Sequence, residues 1–128
     1  MLILYNAALG QKTTPIFDGG PGMEKLGGYL AAQLNNHNIE GRDEKLDSIK
    51  GFFNVEVKFS VDVDGSVFDA EIHTIARPLV DRDPILDKEV LRVFNSMPKE
   101  KWTPAFNNGK PVKTIGIISL FPILFKDD

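Results

Sequence analysis

Apolar and polar residues alternate most regularly between Phe53 and Val63. The apolar positions are Phe53, Val55, Val57, Phe59, Val61 and Val63. A period of two residues predicts a β-strand with one buried face and one solvated face. Asp64-Gly65 follows, a pair that favours a tight two-residue turn with positive φ at both positions, and Val67 to Ile75 supplies the returning strand. The pattern therefore predicts a β-hairpin.

Two other segments have the spacing of amphipathic helices. Apolar residues recur at helical spacing from Met23 to Leu34, after the helix-breaking run Asp18 to Gly22. A second helix follows Asp81 to Pro84, where an aspartate can cap the first turn and a proline fits it, and Pro98 stops this helix. Its core-facing stripe comprises Ile85, Leu86, Val90, Val93, Phe94 and Met97.

The first helix and the segment after it contain less regular features. Gly27 and Gly28 weaken the helix, each by ~1 kcal/mol relative to alanine, unless another element packs closely there. Ile39 to Lys50 is charged and has no clear period. This segment is predicted to be a surface loop, either without regular structure or with a short turn of helix.

The C-terminal part predicts a last strand at the edge of a sheet. Val112 to Phe125 is rich in β-branched and aromatic residues, and Pro122 interrupts it. Because proline cannot donate a ladder hydrogen bond, it is confined to the edges, ends and bulges of sheets. The order helix, strand, strand, helix, strand predicts an α+β domain, with two helices on one face of an antiparallel sheet.

Length, charge and composition exclude several classes of function but do not indicate a specific one. A chain of 128 residues, 42% of them hydrophobic, has the size of one domain. The net charge is -3, from 15 basic and 18 acidic residues that form no basic stripe, which argues against nucleic acid as a partner. There is no cysteine, so disulfides and thiolate metal sites are excluded. No apolar run approaches the ~20 residues of a transmembrane helix.

The N-terminus carries a weak clue to the compartment. Met1 to Gly10 is apolar and ends in small residues, as the end of a signal peptide does, but no basic segment precedes it. Two interpretations of residues 1–16 stay open: a signal-peptide remnant, or a flexible apolar tail or extra strand. The domain itself is predicted to span residues 17–128.

The candidates for metal chemistry have simpler structural explanations. Ser60 to Glu71 resembles a calcium loop, with Gly65 at the sixth position and Glu71 at the twelfth, but the first position is a serine. The flanking residues also alternate as strands, where calcium loops need helices. His37 and His73 lack partners at the spacing of a zinc motif, so both are predicted to be surface histidines. No metal or other cofactor is predicted.

The candidates for catalysis are equally weak. No serine lies in a strand-to-helix elbow that would expose a nucleophile. Asp81, Asp83 and Asp87 could pair as acid and base, but they surround a helix N-terminus, where carboxylates satisfy free amides. The chain is therefore not predicted to be an enzyme. An edge strand offers recognition instead, since an extended peptide can add to it.

Several motifs in fixed order carry a family resemblance. They are the strand and turn Val55 to Val67, Leu86-Asp87, Glu89, Arg92-Val93, Met97-Pro98, Trp102 to Ala105, Asn108 to Val112, and Pro122-Ile123 with Phe125. In these residues the chain resembles the C-terminal domain of TonB-type energy transducers, particularly the version common in Bacteroidetes. With Phe17, Gly19-Gly20 and the helix around Leu26, the resemblance covers about Phe17 to Phe125.

The resemblance implies a fold, a compartment and a partner. The fold would have two helices against a three-stranded antiparallel sheet, in a periplasmic or secreted protein-interaction domain. Such a domain pairs its last strand with an extended segment of an outer-membrane receptor in energy-coupled transport. Carried over by position, the binding edge would comprise Lys113, Thr114, Ile115, Gly116, Ile117, Ile118, Ser119, Leu120 and Phe121. Trp102, Pro104 and Gly109 would shape the corner that leads into it.

Two functions therefore stay open at this point. The first is capture of a receptor segment by strand addition. The second is a stand-alone structural or interaction domain that uses the same edge for self-association as a homodimer, or for another envelope protein.

Overall fold

The computed structural model describes residues 12–20, 22–73 and 84–125. Over these ranges there are two α-helices, α1 (Glu24–Asn35) and α2 (Pro84–Asn95), and two short 3₁₀ helices, Glu44–Ser48 and Lys99–Lys101. The strands are β1 (Ile16–Phe17), β2 (Gly51–Val61), β3 (Val67–Ile72), β4 (Trp102–Thr103), β5 (Ala105–Asn107), β6 (Lys110–Val112) and β7 (Thr114–Phe125).

The largest sheet has three antiparallel strands in the order β3-β2-β7. The central strand β2 pairs with β7 from Gly51 opposite Phe125 to Val61 opposite Thr114. Two small antiparallel pairs, β1 with β4 and β5 with β6, lie outside this sheet. The chain is thus α+β with an antiparallel three-stranded sheet, and the predicted last strand is at an edge.

The core lies against one face of this sheet. The alternating residues Val55, Val57, Phe59 and Val61 of β2 are buried, as are Phe121, Ile123 and Phe125 of β7. They form one cluster with buried residues of both helices, which are Leu26, Leu30, Leu34, Leu86, Val90, Val93 and Phe94. The strand periodicity is therefore confirmed from Val55 to Val61, with Phe53 partly buried. The stripe of the second helix is confirmed as well, with Ile85 partly buried and Met97 buried just after the helix ends at Asn95.

The β2–β3 hairpin has a different turn from the predicted one. Asp62 and Ser66 close the loop through an N–H to carbonyl bond of 2.8 Å, and the Gly65 amide donates to the Asp62 carbonyl at 3.0 Å. Of the predicted turn pair Asp64-Gly65, only Gly65 has a positive φ, of 89°. This is a three-residue loop closed by a left-handed glycine, and it leaves Val63 exposed in the turn rather than in the strand.

The two-residue turn with positive φ occurs instead between β5 and β6. Asn107 pairs with Lys110, and the intervening Asn108 and Gly109 have φ values of 53° and 78°. Asparagine and glycine adopt this conformation at little steric cost, which is why they dominate such turns. The predicted loop Asn107 to Lys110 is therefore a tight hairpin turn.

Other boundaries differ from the sequence-based expectations. Pro122 does not interrupt the last strand, because β7 runs from Thr114 to Phe125 and keeps one register with β2 from Ile117 to Phe125. The segment Ile39 to Lys50 contains a short turn of helix, the 3₁₀ helix Glu44–Ser48, and departs from a surface loop in burying Leu46 and Ile49. The predicted end of the returning strand, residues 74–75, and the capping residues 81–83 lie outside the described residues.

The chain before Phe17 is attached to the domain from Lys12 onward. Lys12 forms an isolated antiparallel bridge with Asn107. Thr13 exchanges two hydrogen bonds with Phe106, one of 2.8 Å from its amide and one of 2.9 Å to its hydroxyl. Pairing therefore begins within the region that the sequence analysis treats as a tail.

Candidate functional site

The edge of β7 is the candidate functional site. On one side β7 pairs along its length with β2. No strand among residues 12–20, 22–73 and 84–125 pairs with its other side. An edge of this kind presents unpaired N–H and C=O groups, which an extended peptide can satisfy by adding a strand.

The hydrogen bonds of the central strand β2 show which backbone N–H and C=O groups of β7 point to the open edge. The Glu56 carbonyl accepts a hydrogen bond of 2.8 Å from the His73 amide, so the backbone groups of Glu56 point toward β3. Its partner in β7 is Leu120, which therefore points its own N–H and C=O to the open edge. Ile118 lies two residues from Leu120, so its N–H and C=O groups also point to the open edge. The N–H and C=O groups of Ile117 and Ser119 point to β2 and bond to it.

Pro122 occupies a position of β7 whose backbone groups point to the open edge. It pairs with Asn54, two residues along from the pair of Glu56 and Leu120. Its missing N–H therefore faces the open edge, and no bond to β2 is lost. The edge offers donors and acceptors at Ile118 and Leu120, but only an acceptor at Pro122.

A bulge in β7 marks the N-terminal end of the part of the edge that has regular strand geometry. Phe59 pairs with Ile117 and Val61 with Thr114, so Ser60 lies opposite both Ile115 and Gly116. Gly116 has a φ of 71°, and its amide donates to the Ser60 hydroxyl at 3.1 Å. The extra residue is typical of a β-bulge, and the uniform edge begins only after it.

The outer face of β7, which is the face that the helices do not cover, is unusually apolar for a solvated face. Ile118 and Leu120 are 49% and 52% exposed, and Leu124 with its cross-strand partner Phe52 is similarly exposed. Ile115 adds a fifth large side chain before the bulge. Contiguous exposed apolar surface of this kind marks interaction sites more often than scattered single residues do.

The structure places the nine predicted binding residues in three different settings. Lys113 lies between β6 and β7, with its ammonium 5.3 Å from the centre of the Phe68 ring. Thr114, Ile115 and Gly116 belong to the part of β7 around the bulge. The segment Ile117 to Phe121 forms the regular edge, in which Phe121 turns its side chain into the core.

The predicted corner residues do not lie together as one feature. Trp102 is buried, its indole N–H lies 3.1 Å from the Met97 sulfur, and its ring packs 5.2 Å from that of Phe17. Pro104 separates β4 from β5, and Gly109 forms the β5–β6 turn. Trp102 therefore contributes core packing, while the hairpin with Gly109 leads the chain toward β7.

Charged side chains elsewhere in the molecule are largely structural. Glu89 is 1% exposed, and its carboxylate accepts hydrogen bonds of 3.0 Å from the Asp43 amide and from the Arg92 guanidinium. The Arg42 guanidinium pairs with Asp47 at 2.8 Å and lowers the pKa of that carboxyl. The Glu89 contact attaches the 39–50 segment to α2, whereas the pair of Arg42 and Asp47 lies within that segment. Arg42 also donates to the Leu34 carbonyl of α1 at 2.8 Å.

The residues considered for metal or acid-base chemistry have local partners. The Asp64 carboxylate accepts from Ser66, which lowers its pKa. His37 contacts Asp47 at 3.1 Å, and the His73 ring bonds to the Glu56 carboxylate on the partly buried outer face. Over the described ranges, no three His, Asp or Glu side chains are grouped as a metal site requires.

Three features of the structure have a weak signal or none in the sequence. The bulge at Gly116 could have been inferred from a glycine inside a β-branched run. The glycines of α1 hinted at close packing, but not at which element lies beside them. Buried Glu89 had no local signal, since an isolated glutamate on a helix is usually solvated.

Comparison of the chain with models of protein families, with curated proteins and with solved structures finds no match in any of the three. None of the helices within the described ranges has the length and hydropathy that crossing a membrane requires. The site is therefore interpreted from its own geometry.

Proposed function

We propose that this protein is a periplasmic interaction domain of the TonB C-terminal type. It binds an extended segment of an outer-membrane receptor by strand addition, in energy-coupled transport. The observation that carries the proposal is the open edge of β7, where Ile118 and Leu120 direct unpaired backbone groups outward.

The side chains beside the edge favour an apolar segment. Ile118 and Leu120 are half exposed on the outer face, so a strand lying next to them would bury apolar surface on that side. Backbone bonds supply affinity in this mode, and alternate side chains supply specificity. The receptor and the periplasm come from the family resemblance, which fits the α+β architecture.

Self-association through the same edge loses hydrogen bonds in the register that places Leu120 at its centre. In a symmetric antiparallel pair of two β7 strands centred on Leu120, Ile118 of one copy would face Pro122 of the other. Proline has no N–H to donate, so each of the two Ile118–Pro122 residue pairs in this dimer lacks one backbone hydrogen bond. Pro122 therefore limits continuous pairing between copies.

A titration by NMR spectroscopy tests the proposal. Peptides from the periplasmic segments of outer-membrane receptors should shift the amide signals of Ile117 to Phe121 at millimolar concentration or below. Leu120→Pro removes an edge-directed N–H and should abolish binding, whereas Leu120→Val keeps the N–H and should bind nearly as the native protein does.

Three outcomes would overturn the proposal. Absence of shifts at millimolar peptide would exclude receptor capture. Shifts that survive Leu120→Pro would place binding elsewhere. A concentration-dependent dimer in sedimentation experiments that Leu120→Pro abolishes would assign the edge to self-association.

A further inference from the structure

A groove lies beside the open edge of β7, on the side of the sheet that carries the helices. Its volume is about 570 Å³, and its walls come from two elements. Helix α1 contributes Glu24, Gly27, Gly28 and Ala31 with its N-cap residue Met23, and β7 contributes Leu120, Phe121 and Pro122. The edge strand and the first helix together thus bound a single concave, mostly apolar surface.

The two adjacent glycines of α1 have different surroundings. A Cβ atom at Gly27 would lie 3.7 Å from the Phe121 ring, in ordinary van der Waals contact. A Cβ atom at Gly28 would have no neighbour within 4 Å. Gly27 therefore approaches β7, and Gly28 lies at open space in the wall of the groove.

The position of the groove relates it to a strand added at the edge. Such a strand would lie ~4.8 Å from β7, and its side chains would alternate between the two faces of the sheet. Side chains on the outer face would lie beside Ile118 and Leu120. Those on the other face would enter the space beside Phe121, beneath α1.

We infer that the groove binds an aliphatic side chain of the captured segment, and so determines which segments the edge accepts. This inference rests on the proposed strand addition. The groove wall supplies alkyl groups and helix backbone, and Glu24 is its one charged residue. A polar side chain buried there would lose water without gaining enough partners, whereas valine, isoleucine or leucine would bury apolar area.

A separate segment fits this groove better than a second copy of β7. The helix-covered face of β7 carries Ile117, Ser119, Phe121 and Ile123, of which the last two are buried in the core. In the symmetric pair centred on Leu120, Ser119 of the second copy would lie opposite Phe121 and so beside the groove. Its short hydroxyl side chain would not fill an apolar groove, so the occupant is an extended segment of another protein.

Selection from a random peptide library displayed on phage, with the whole protein as bait, tests the inference. Selected peptides should share one aliphatic position, flanked by residues free to vary. Replacing that residue with alanine should weaken binding about tenfold or more, because two or three buried methylene groups are lost.

Gly28→Leu provides the matching change in the protein. Leucine is a good helix former, so the variant should fold, and its side chain should occupy the groove. We expect about tenfold weaker binding or more for the selected peptides. Gln33→Leu adds the same side chain outside the groove, about 140° around α1 from Gly28, and should bind as the native protein does.

The outcomes separate this inference from the proposed function. If selected peptides shift the signals of Ile117 to Phe121 but tolerate Gly28→Leu and lack an aliphatic requirement, strand addition stands and the groove inference fails. If no selected peptide perturbs the β7 edge, both fail. Circular dichroism of each variant shows whether a loss of binding comes from unfolding.

Discussion

The Gly116 amide of β7 donates a hydrogen bond to the Ser60 hydroxyl of β2, 3.1 Å away, where the two strands lose register. Ser60 is buried, although it occupies one of the polar positions in the alternating pattern of β2. The same stretch of β2 also faces a bulge in β3, where Asp69 has a φ of 52°. Both neighbours of the central strand thus change register near Phe59 and Ser60.

Ser60→Ala should destabilise the protein by about 1–2 kcal/mol, because it leaves the Gly116 amide without its buried acceptor. Chemical denaturation gives the change in the free energy of unfolding. Ser48→Ala, which removes an exposed hydroxyl bonded to the Lys45 carbonyl, should have a smaller effect. Equal effects of the two substitutions would show that the bulge does not depend on Ser60.

Glu89→Ala should cost about 3 kcal/mol, since it removes a buried carboxylate that the Asp43 amide and the Arg92 guanidinium both contact. Glu89→Gln keeps an oxygen acceptor and should fall between the native protein and Glu89→Ala. Glu40→Ala, at an exposed position, is the control. Thermal and urea unfolding measure the differences, and a neutral Glu89→Ala would contradict a structural role for this carboxylate.

Gly65→Ala should destabilise the hairpin by about 3 kcal/mol, from a positive φ and from overpacking. The added Cβ would lie 2.4 Å from the Lys99 carbonyl oxygen, a backbone atom that cannot rotate away. Gly28→Ala should instead stabilise the protein by up to about 1 kcal/mol, because the site is helical and open. Melting temperatures that fail to move in opposite directions would refute this contrast.

Acid should weaken the ion pair of Arg42 and Asp47 within the 39–50 segment. The hydrogen bond from Arg42 lowers the pKa of Asp47, so the folded state favours the charged carboxylate. That contribution is complete above about pH 4 and disappears as the pH falls through the lowered pKa. Asp47→Asn should therefore lose less stability than the native protein between about pH 5 and about pH 2.

Arg42→Gln is the matched variant for the acid experiment, because it removes the other partner of the pair. Its free energy of unfolding should also depend less on pH in the same range. A native-like acid dependence in both variants would assign the effect to other carboxylates, such as Asp43, whose pKa is lowered first by its hydrogen bond from the Lys45 amide.

Local pattern in the sequence determined the elements and the class of the fold. The alternation from Phe53 to Val61 specifies which face of β2 is buried, since side chains of a strand alternate between faces. The stripe from Leu86 to Phe94 likewise specifies the inward side of α2. Pro122 indicated an edge strand because a missing N–H is tolerated only where no neighbour needs it.

Tertiary structure alone decided the features that depend on contacts between distant residues. The register of β7, and with it the outward direction of Leu120, follows from pairing with a strand more than fifty residues away. The groove exists because α1 packs beside Phe121, and the burial of Glu89 depends on a backbone amide 46 residues away. A local pattern specifies which side of an element is apolar, but not which other element covers it.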